Sequence, residues 1–322
     1  MLIDNVRLSL FLLLVSALLI SSCGQPSDAA DNIEGMNGTI TISGAWALYP
    51  MMVRWAEEFQ VQNPQVKFDI SAGGAGKGMA DALANAVDIG MVSREVYPEE
   101  IAKGAFWVSV AKDAVFATIS EKNPVWEDLH QKGLDQSTLT AIFITGEMTT
   151  WGEVVDRPDV KDPIHVFTRS DAAGAPATWA EFLGKKQEDL LGIGIYGDPG
   201  LLDAVIKDPL SIGYNNLNYA YDQDTGRTVA GAHVVPLDVN GNGMADPDEI
   251  YDTKDKAVEA VATSLYPSPP ARDLNLVTRG QPIGLEHDFI VWILTEGQQY
   301  LSEAGYIALP QDRINSEIDK LD

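Results

Sequence analysis

Two segments of the 322-residue sequence place anion-binding chemistry at the start of predicted helices. In Arg169-Ser170-Asp171-Ala172-Ala173-Gly174-Ala175 a guanidinium precedes a turn of small residues, and the apolar spacing predicts a helix from Thr178 to Leu183. A guanidinium is a rigid fork of N–H donors, and the free amides of a helix start attract anions without any side chain. The glycine-rich turn Gly73-Gly74-Ala75-Gly76-Lys77-Gly78 stands in the same relation to a helix predicted over Met79 to Ala86. Both segments carry the kinds of donor that a small oxyanion takes, backbone amides and one arginine. Plainer uses stand beside this one. Arg169 can pair with Asp171 or another acid, and the glycines can serve tight turns alone.

A third segment, Asp238-Val-Asn240-Gly-Asn242-Gly243-Met244-Ala-Asp246-Pro-Asp-Glu249, fits the template of a calcium loop. Asp238, Asn240 and Asn242 supply oxygens, Gly243 the turn, Met244 a carbonyl, Asp246 a ligand through water, and Glu249 a bidentate carboxylate. The preceding residues 232–237 read as a strand, so the expectation is a loop alone, holding calcium for a structural purpose. An acidic, Asn-Gly-rich hairpin without metal is the alternative. Enzymatic chemistry finds little here. The four histidines (His130, His165, His233, His287) show no paired metal-ligand spacing, and no nucleophile is set beside a base.

The elements that must position these residues alternate strand and helix. Residues 38–43 alternate as a strand, and 51–60 carry Val53, Trp55, Ala56 and Phe59 at helical spacing. Residues 65–70 return as a strand, the glycine-rich turn opens the second helix, and 87–92 form a buried strand. This βαβαβ unit implies a largely parallel sheet, with ligands beyond the carboxyl ends of its strands. Further on, strand character runs from 106 to 120, a short helix or strand starts at 137–143, and strands are expected at 164–168 and 274–278. Helical stretches are expected at 203–207 and 287–304. Trp55 and Trp292 lie on apolar helix faces and read as core. Trp46 reads equally well as a packing residue or as a platform for a ligand.

The first residues fix a compartment. An apolar run from Leu8 to Ile20 behind Arg7 is too short to span a bilayer comfortably and reads as an export signal over residues 1–22. It ends in Leu19-Ile20-Ser21-Ser22-Cys23, similar to the lipobox of bacterial lipoproteins, so the only cysteine is expected to carry lipid and not to form a disulfide. Residues 23–36 read as a flexible tether. The formal charge of −25, from 22 Lys and Arg against 47 Asp and Glu, argues against nucleic acid or an anionic membrane surface as partner. A small anion held by local dipoles in a cleft is still compatible with it.

Several segments resemble, in the same order, the periplasmic phosphate-binding protein family, the substrate-binding components of phosphate ABC transporters, in lipoprotein form. They are Ser43-Gly-Ala-Trp-Ala-Leu-Tyr-Pro50, the glycine-rich turn, Val87-Asp-Ile-Gly-Met-Val-Ser-Arg94, Ala111-Lys-Asp-Ala-Val115, Gly146-Glu-Met-Thr-Thr-Trp151, Arg169-Ser-Asp171 and Gly297 to Pro310. The resemblance implies an α/β, two-lobed periplasmic-binding-protein fold of type II, each lobe a mixed, mostly parallel sheet flanked by helices. Lobe 1 is expected at 37–113 and 266–322, and lobe 2 at 114–265. It further implies a monomeric binding protein, not an enzyme, that hands a small oxyanion, phosphate foremost, to an ABC permease without a cofactor. A sensor subunit for another ligand is the alternative, and a hydrolase on the same fold a remote one. By position the ligand loops would be Ala45, Trp46 and Ala47; Ala75, Gly76 and Lys77; Ser93 and Arg94; and Arg169, Ala173, Gly174 and Ala175. The family's hydroxyls at the first loop, near Ala75, and in the Arg-Ser-Asp-Gly-Ser-Gly-Thr pattern of the last are replaced by Ala or Trp. The chain's site must therefore rely on backbone donors more than the family does.

Overall fold

The structure is a computed structural model, and it describes residues 36–322. The proposed signal, Cys23 and nearly all of the tether lie outside the described residues. Among the described residues nine strands form one sheet in the order β2-β1-β3-β9-β4-β7-β5-β6, with β8 joined to β4. They are β1 (Gly38–Gly44), β2 (Val66–Ala72), β3 (Ile89–Val92), β4 (Ala105–Ser120), β5 (His165–Arg169), β6 (Ile193–Ile195), β7 (Ser211–Asn216), β8 (Ala232–Val234) and β9 (Ala271–Arg279). The longer helices are α1 (Tyr49–Gln62), α2 (Ala75–Leu83), α3 (Gly174–Phe182), α4 (Gly197–Lys207), α5 (Lys254–Ala262), α6 (Gly284–Leu294) and α7 (Gln311–Asp319). Among the described residues no helix is long and apolar enough to cross a membrane.

The βαβαβ unit forms as the alternation predicts: β1 pairs in parallel with β2 and with β3. Parallel pairing returns at the other end of the sheet, where β5 lies between β6 and β7. Between these ends the pairing is antiparallel, and every antiparallel ladder involves β4 or β9. The expectation of a mostly parallel sheet therefore holds only for the outer strands. β4 and β9 carry the chain out and back side by side, so their directions oppose. The first part of β4 pairs with β9 and its last part with β7 and β8.

Two separate apolar cores result. One gathers Ile40, Met51, Trp55, Phe59, Ile89 and Phe289 beneath β1–β3; the other gathers Phe116, Phe143, Trp151, Trp179, Tyr214 and Tyr251. β4 feeds both, with Val108 and Ala111 in the first and Ala114 and Phe116 in the second. Burying a large apolar side chain contributes about 1.5–3 kcal/mol, so these two clusters supply most of the folding drive.

Trp55 and Trp292 are buried core residues as expected. The long helix predicted over 287–304 is broken: α6 ends at Leu294, a 3-10 turn spans Glu296–Tyr300, and a short helix covers Leu301–Ala304. The cause lies at Gly297, whose carbonyl accepts a bond of 2.8 Å from the indole of Trp55. A continuous helix would withdraw that carbonyl from its buried partner. Residues 137–143 divide between a short helix, Gln136–Thr140, and a π-turn, Ala141–Thr145. Strands β6 and β7 and helices α5 and α7 have no counterpart in the elements expected above.

Candidate functional site

The carboxyl ends of β1, β2 and β3 meet at Gly44. Its carbonyl accepts from the amides of Gly73 and Gly74 at 2.9 and 3.0 Å, and the next amide, Ala45, donates to Met91 at 2.9 Å. Gly44 has a φ of +134°, and a Cβ there would lie 2.3 Å from the Met91 carbonyl, so only glycine lets the three loops close to this distance. From this knot start α2, at Ala75, and the loop Ala45–Leu48 leading to α1. Ala45, Ala47 and Ala75 are buried, and the Ala47 carbonyl is held by the Tyr306 hydroxyl at 2.7 Å.

Against this face stands the loop after β5. The Gly76 amide donates to the Ala172 carbonyl at 3.0 Å, and Gly174 packs on Ser93 so closely that a Cβ would lie 2.1 Å from the Ser93 hydroxyl. The starts of α2 and α3 thus converge, with Ala173, Gly174 and Ala175 buried. Trp46 reaches the far side, edge-on to Tyr196 at 6.0 Å and over Gly197, while its carbonyl accepts from the Tyr219 hydroxyl at 3.3 Å. Trp46 thus packs between the two faces, with its indole N–H buried and without a hydrogen-bond partner.

Arg169 lies at the centre. Its side chain has no exposed surface. Nε and Nη2 grip both oxygens of Asp171 at 2.7 and 2.5 Å, and Nη1 donates to Asp198 at 2.5 Å. Burial works against its charge, but the two carboxylates outweigh burial and hold its pKa above the ordinary arginine value. Three of its five N–H groups are spent, leaving one on each terminal nitrogen. Asp171 also accepts from the Gly197 amide at 3.2 Å and stands against Gly74, which brings a carboxylate to the rim of the glycine-rich turn. Behind Arg169, its own amide donates to the Tyr214 hydroxyl at 3.2 Å.

The remaining candidates are placed otherwise. Lys77 turns to Asp81, which also accepts from Ser43 at 2.6 Å. That carboxyl is weakened as a base: burial raises its pKa, but the Lys77 and Ser43 donors prevail and hold it below the usual range. Arg94 forms a two-pronged pair with Glu100 at 2.7 and 2.9 Å and lies over the Tyr97 ring. Glu100 follows the same balance, burial raising its pKa and Arg94 with the Tyr97 amide drawing it below the usual range. Arg94 nevertheless borders a cavity of about 570 Å³ that also touches Gly76, Ala172 and Ala173. The fold thus brings together the Gly76, Ser93, Arg169 and Gly174 segments and turns Lys77 and Arg94 to acids of their own.

Asp198, buried and opposite Arg169, was not among the sequence candidates. It lies 29 residues downstream at the start of α4, where an acid reads as an ordinary helix-start residue. In the loop of residues 238–249, Asp238 accepts from the amides of Gly241, Asn242 and Gly243 at 2.7–3.1 Å, and Glu249 from Val239 and Asp246 at 2.8 and 3.0 Å. The side-chain amides of Asn240 and Asn242 donate to Asp246. Asp238 and Glu249 are buried. The Met244 side chain is exposed. Among the described residues no group of three or more His, Cys, Asp and Glu is arranged to hold a metal ion.

Residues 29–296 match a family model described as PBP superfamily domain. The chain is 26% identical over 321 residues to the phosphate-binding protein PstS of Bacillus subtilis, covering 97% of each chain. It is 25% identical to PstS of Methanocaldococcus jannaschii, covering 93% of this chain and 90% of that one. Among solved structures it resembles a putative phosphate ABC transporter substrate-binding protein with bound phosphate from Clostridium perfringens (TM-score 0.69, 25% identity, 85% of this chain and all of that one). An ABC-type phosphate transport receptor from Vibrio cholerae shares the fold (TM-score 0.60, 20% identity, 84% of this chain and all of that one). With the family model matching most of its length, the chain belongs to the PBP superfamily domain family.

Proposed function

We propose that this chain is the extracytoplasmic solute-binding protein of an ABC importer and captures a small oxyanion, phosphate foremost, between two lobes. One observation carries the reading: the N-termini of α2 and α3 converge beside a buried Arg169 that keeps two N–H groups in reserve. Helix-start amides and a guanidinium are the donors an oxyanion needs where alanines replace hydroxyls. Each hydrogen bond to a charged group contributes roughly 1.5–3 kcal/mol, so a handful of amides with Arg169 suffice for micromolar capture. The names of the relatives support phosphate over other oxyanions. Lobe 1 comprises 37–113 and 266–322 and lobe 2 114–265, joined by β4 and β9, with closure by hinge motion presenting the loaded form to the permease. The protein acts as a monomer anchored through lipid on Cys23. The loop of 238–249 takes calcium as a structural ion, Asp238 and Glu249 supplying the carboxylates, while transport needs no cofactor.

Calorimetric titration of the purified protein with phosphate, sulfate, molybdate and arsenate tests the reading. Micromolar or tighter phosphate binding that Arg169→Ala abolishes is the expected result. Failure of all four to bind, or unchanged affinity in Arg169→Ala, rejects it.

A further inference from the structure

We infer that Arg272, which lies behind the oxyanion loops, is a positioning residue that couples the Arg169 centre to the two strands crossing between the lobes. The inference rests on the oxyanion reading above for its ligand and on geometry alone for the coupling. Arg272 on β9 and Asp113 on β4 are direct partners in the antiparallel ladder. Nη2 of Arg272 donates to Asp113 at 3.1 Å and also to the side-chain carbonyl of Asn216, at the end of β7. Nη1 reaches the Thr178 hydroxyl on α3 at 3.4 Å, four residues after Gly174 and so one turn behind the amides that open that helix. The backbone amide of Asn216 in turn donates to one oxygen of Asp198 at 3.4 Å, and the other oxygen of Asp198 accepts from Arg169.

One guanidinium thus has two arms, one to the helix that presents the amides and one to Asn216, whose backbone amide holds the carboxylate that orients the arginine. Every member is buried, with Asp113, Asn216 and Asp198 at 1% exposure and Arg272 at 7%. In such surroundings charges act over longer distances than they do in water. The arrangement is poor as a stabilising device. The Nε of Arg272 has no hydrogen-bond partner, and burial shifts the pair toward neutrality, raising the Asp113 pKa and lowering that of Arg272. Apolar residues of similar volume commonly match or exceed the stability of a buried ion pair. What this pair has, and a leucine lacks, is a rigid fork spanning Thr178 and Asn216 from a strand that must twist when the lobes move. A displacement of β4 and β9 then moves the two sets of oxyanion donors together.

The test uses the purified protein with inorganic phosphate as probe and the variants Arg272→Lys, Arg272→Met and Thr178→Val. Lysine keeps a charge opposite Asp113 but cannot span both arms. Phosphate affinity is read by calorimetry, and closure by the phosphate-induced fall in radius of gyration in solution scattering. The expected result is affinity at least tenfold weaker in Arg272→Lys and Thr178→Val, with most of the compaction lost, while circular dichroism shows the fold intact. Wild-type affinity and compaction in these two variants would overturn the inference, whether or not Arg272→Met folds. A double-mutant cycle of Asp198→Asn with Arg272→Lys, read on the denaturation midpoint, needs no ligand. Coupling predicts a combined loss smaller than the sum of the single losses, and strict additivity excludes the coupling. If the wild type binds no phosphate, the oxyanion reading fails and the cycle alone decides the coupling.

Discussion

Replacing Asp198 with Asn tests the buried charge cluster directly. The Asp198 side chain is 1% exposed and that of Arg169 not exposed at all, with 2.5 Å between the bonded atoms. Breaking a buried pair from one side costs about 3–5 kcal/mol, because the remaining charge stays desolvated. Two features favour the low end. Asp171 still binds Nε and Nη2 of Arg169, and an Asn oxygen can still accept from the Asn216 amide. The expected loss is therefore about 3 kcal/mol, or roughly 6–10 °C in melting temperature for a protein of this size. Scanning calorimetry reads it. Asp203→Asn on the same helix is the control: that carboxylate is exposed and paired with Lys207 one turn away, an arrangement worth about 0.5 kcal/mol or less. If Asp198→Asn melts within about 2 °C of wild type, the Arg169 cluster is not the desolvated unit described here.

Gly174→Ala places a Cβ 2.1 Å from the hydroxyl and 2.2 Å from the carbonyl oxygen of Ser93. Calorimetry should show phosphate binding at least tenfold weaker, and Ser93→Ala should not restore it, because the backbone oxygen remains. His233 stacks on Trp126 with centroids 3.9 Å apart. Its pKa is lowered chiefly by burial, aided by His130 and opposed by Glu121, Asp252 and Glu127. The unfolded chain therefore takes up the proton first, so stability present above about pH 6.5 is lost as pH falls through the lower folded value. Melting temperatures measured between pH 7 and pH 5 should decline less steeply in His233→Phe, which keeps the stack and cannot titrate. Millimolar calcium should raise the melting temperature of the wild type, chelation should reverse the rise, and Glu249→Gln should abolish the response. Equal insensitivity of both proteins would leave the loop as a hairpin.

How much could be read beforehand depended on distance along the chain. The βαβαβ unit is encoded by local alternation within 38–92, and the convergence of loops after β1 and β2 follows from it. Arg169 and Asp171 are two residues apart, so their pairing was an evident possibility. Asp198 meets Arg169 only through the packing of α4 on β5, and the Asp113–Arg272 pair, separated by 159 residues, only through the return of β9 beside β4, so neither leaves a local trace. The helix break at Thr295 was hidden for a related reason. Apolar spacing continues across it, and the tertiary bond from Trp55 to Gly297 decides the outcome. Lys77 and Asp81 stand at i,i+4, a spacing the sequence shows, and the pair they form competes with any use of the lysine as an anion donor.

The placement of β3 between β1 and β9 has a consequence for how the chain must be made. Residues Gly90 to Val92 pair with Val277 to Asn275, so an inner strand of the first core waits through nearly two hundred intervening residues for its second neighbour. During synthesis the elements between β4 and β9 can assemble on their own while that half-finished sheet exposes an unpaired edge. Contacts so remote in sequence slow assembly. A chain terminated before residue 271 would therefore lose more than its tail: it would leave an adhesive strand open to the nearest copy of itself.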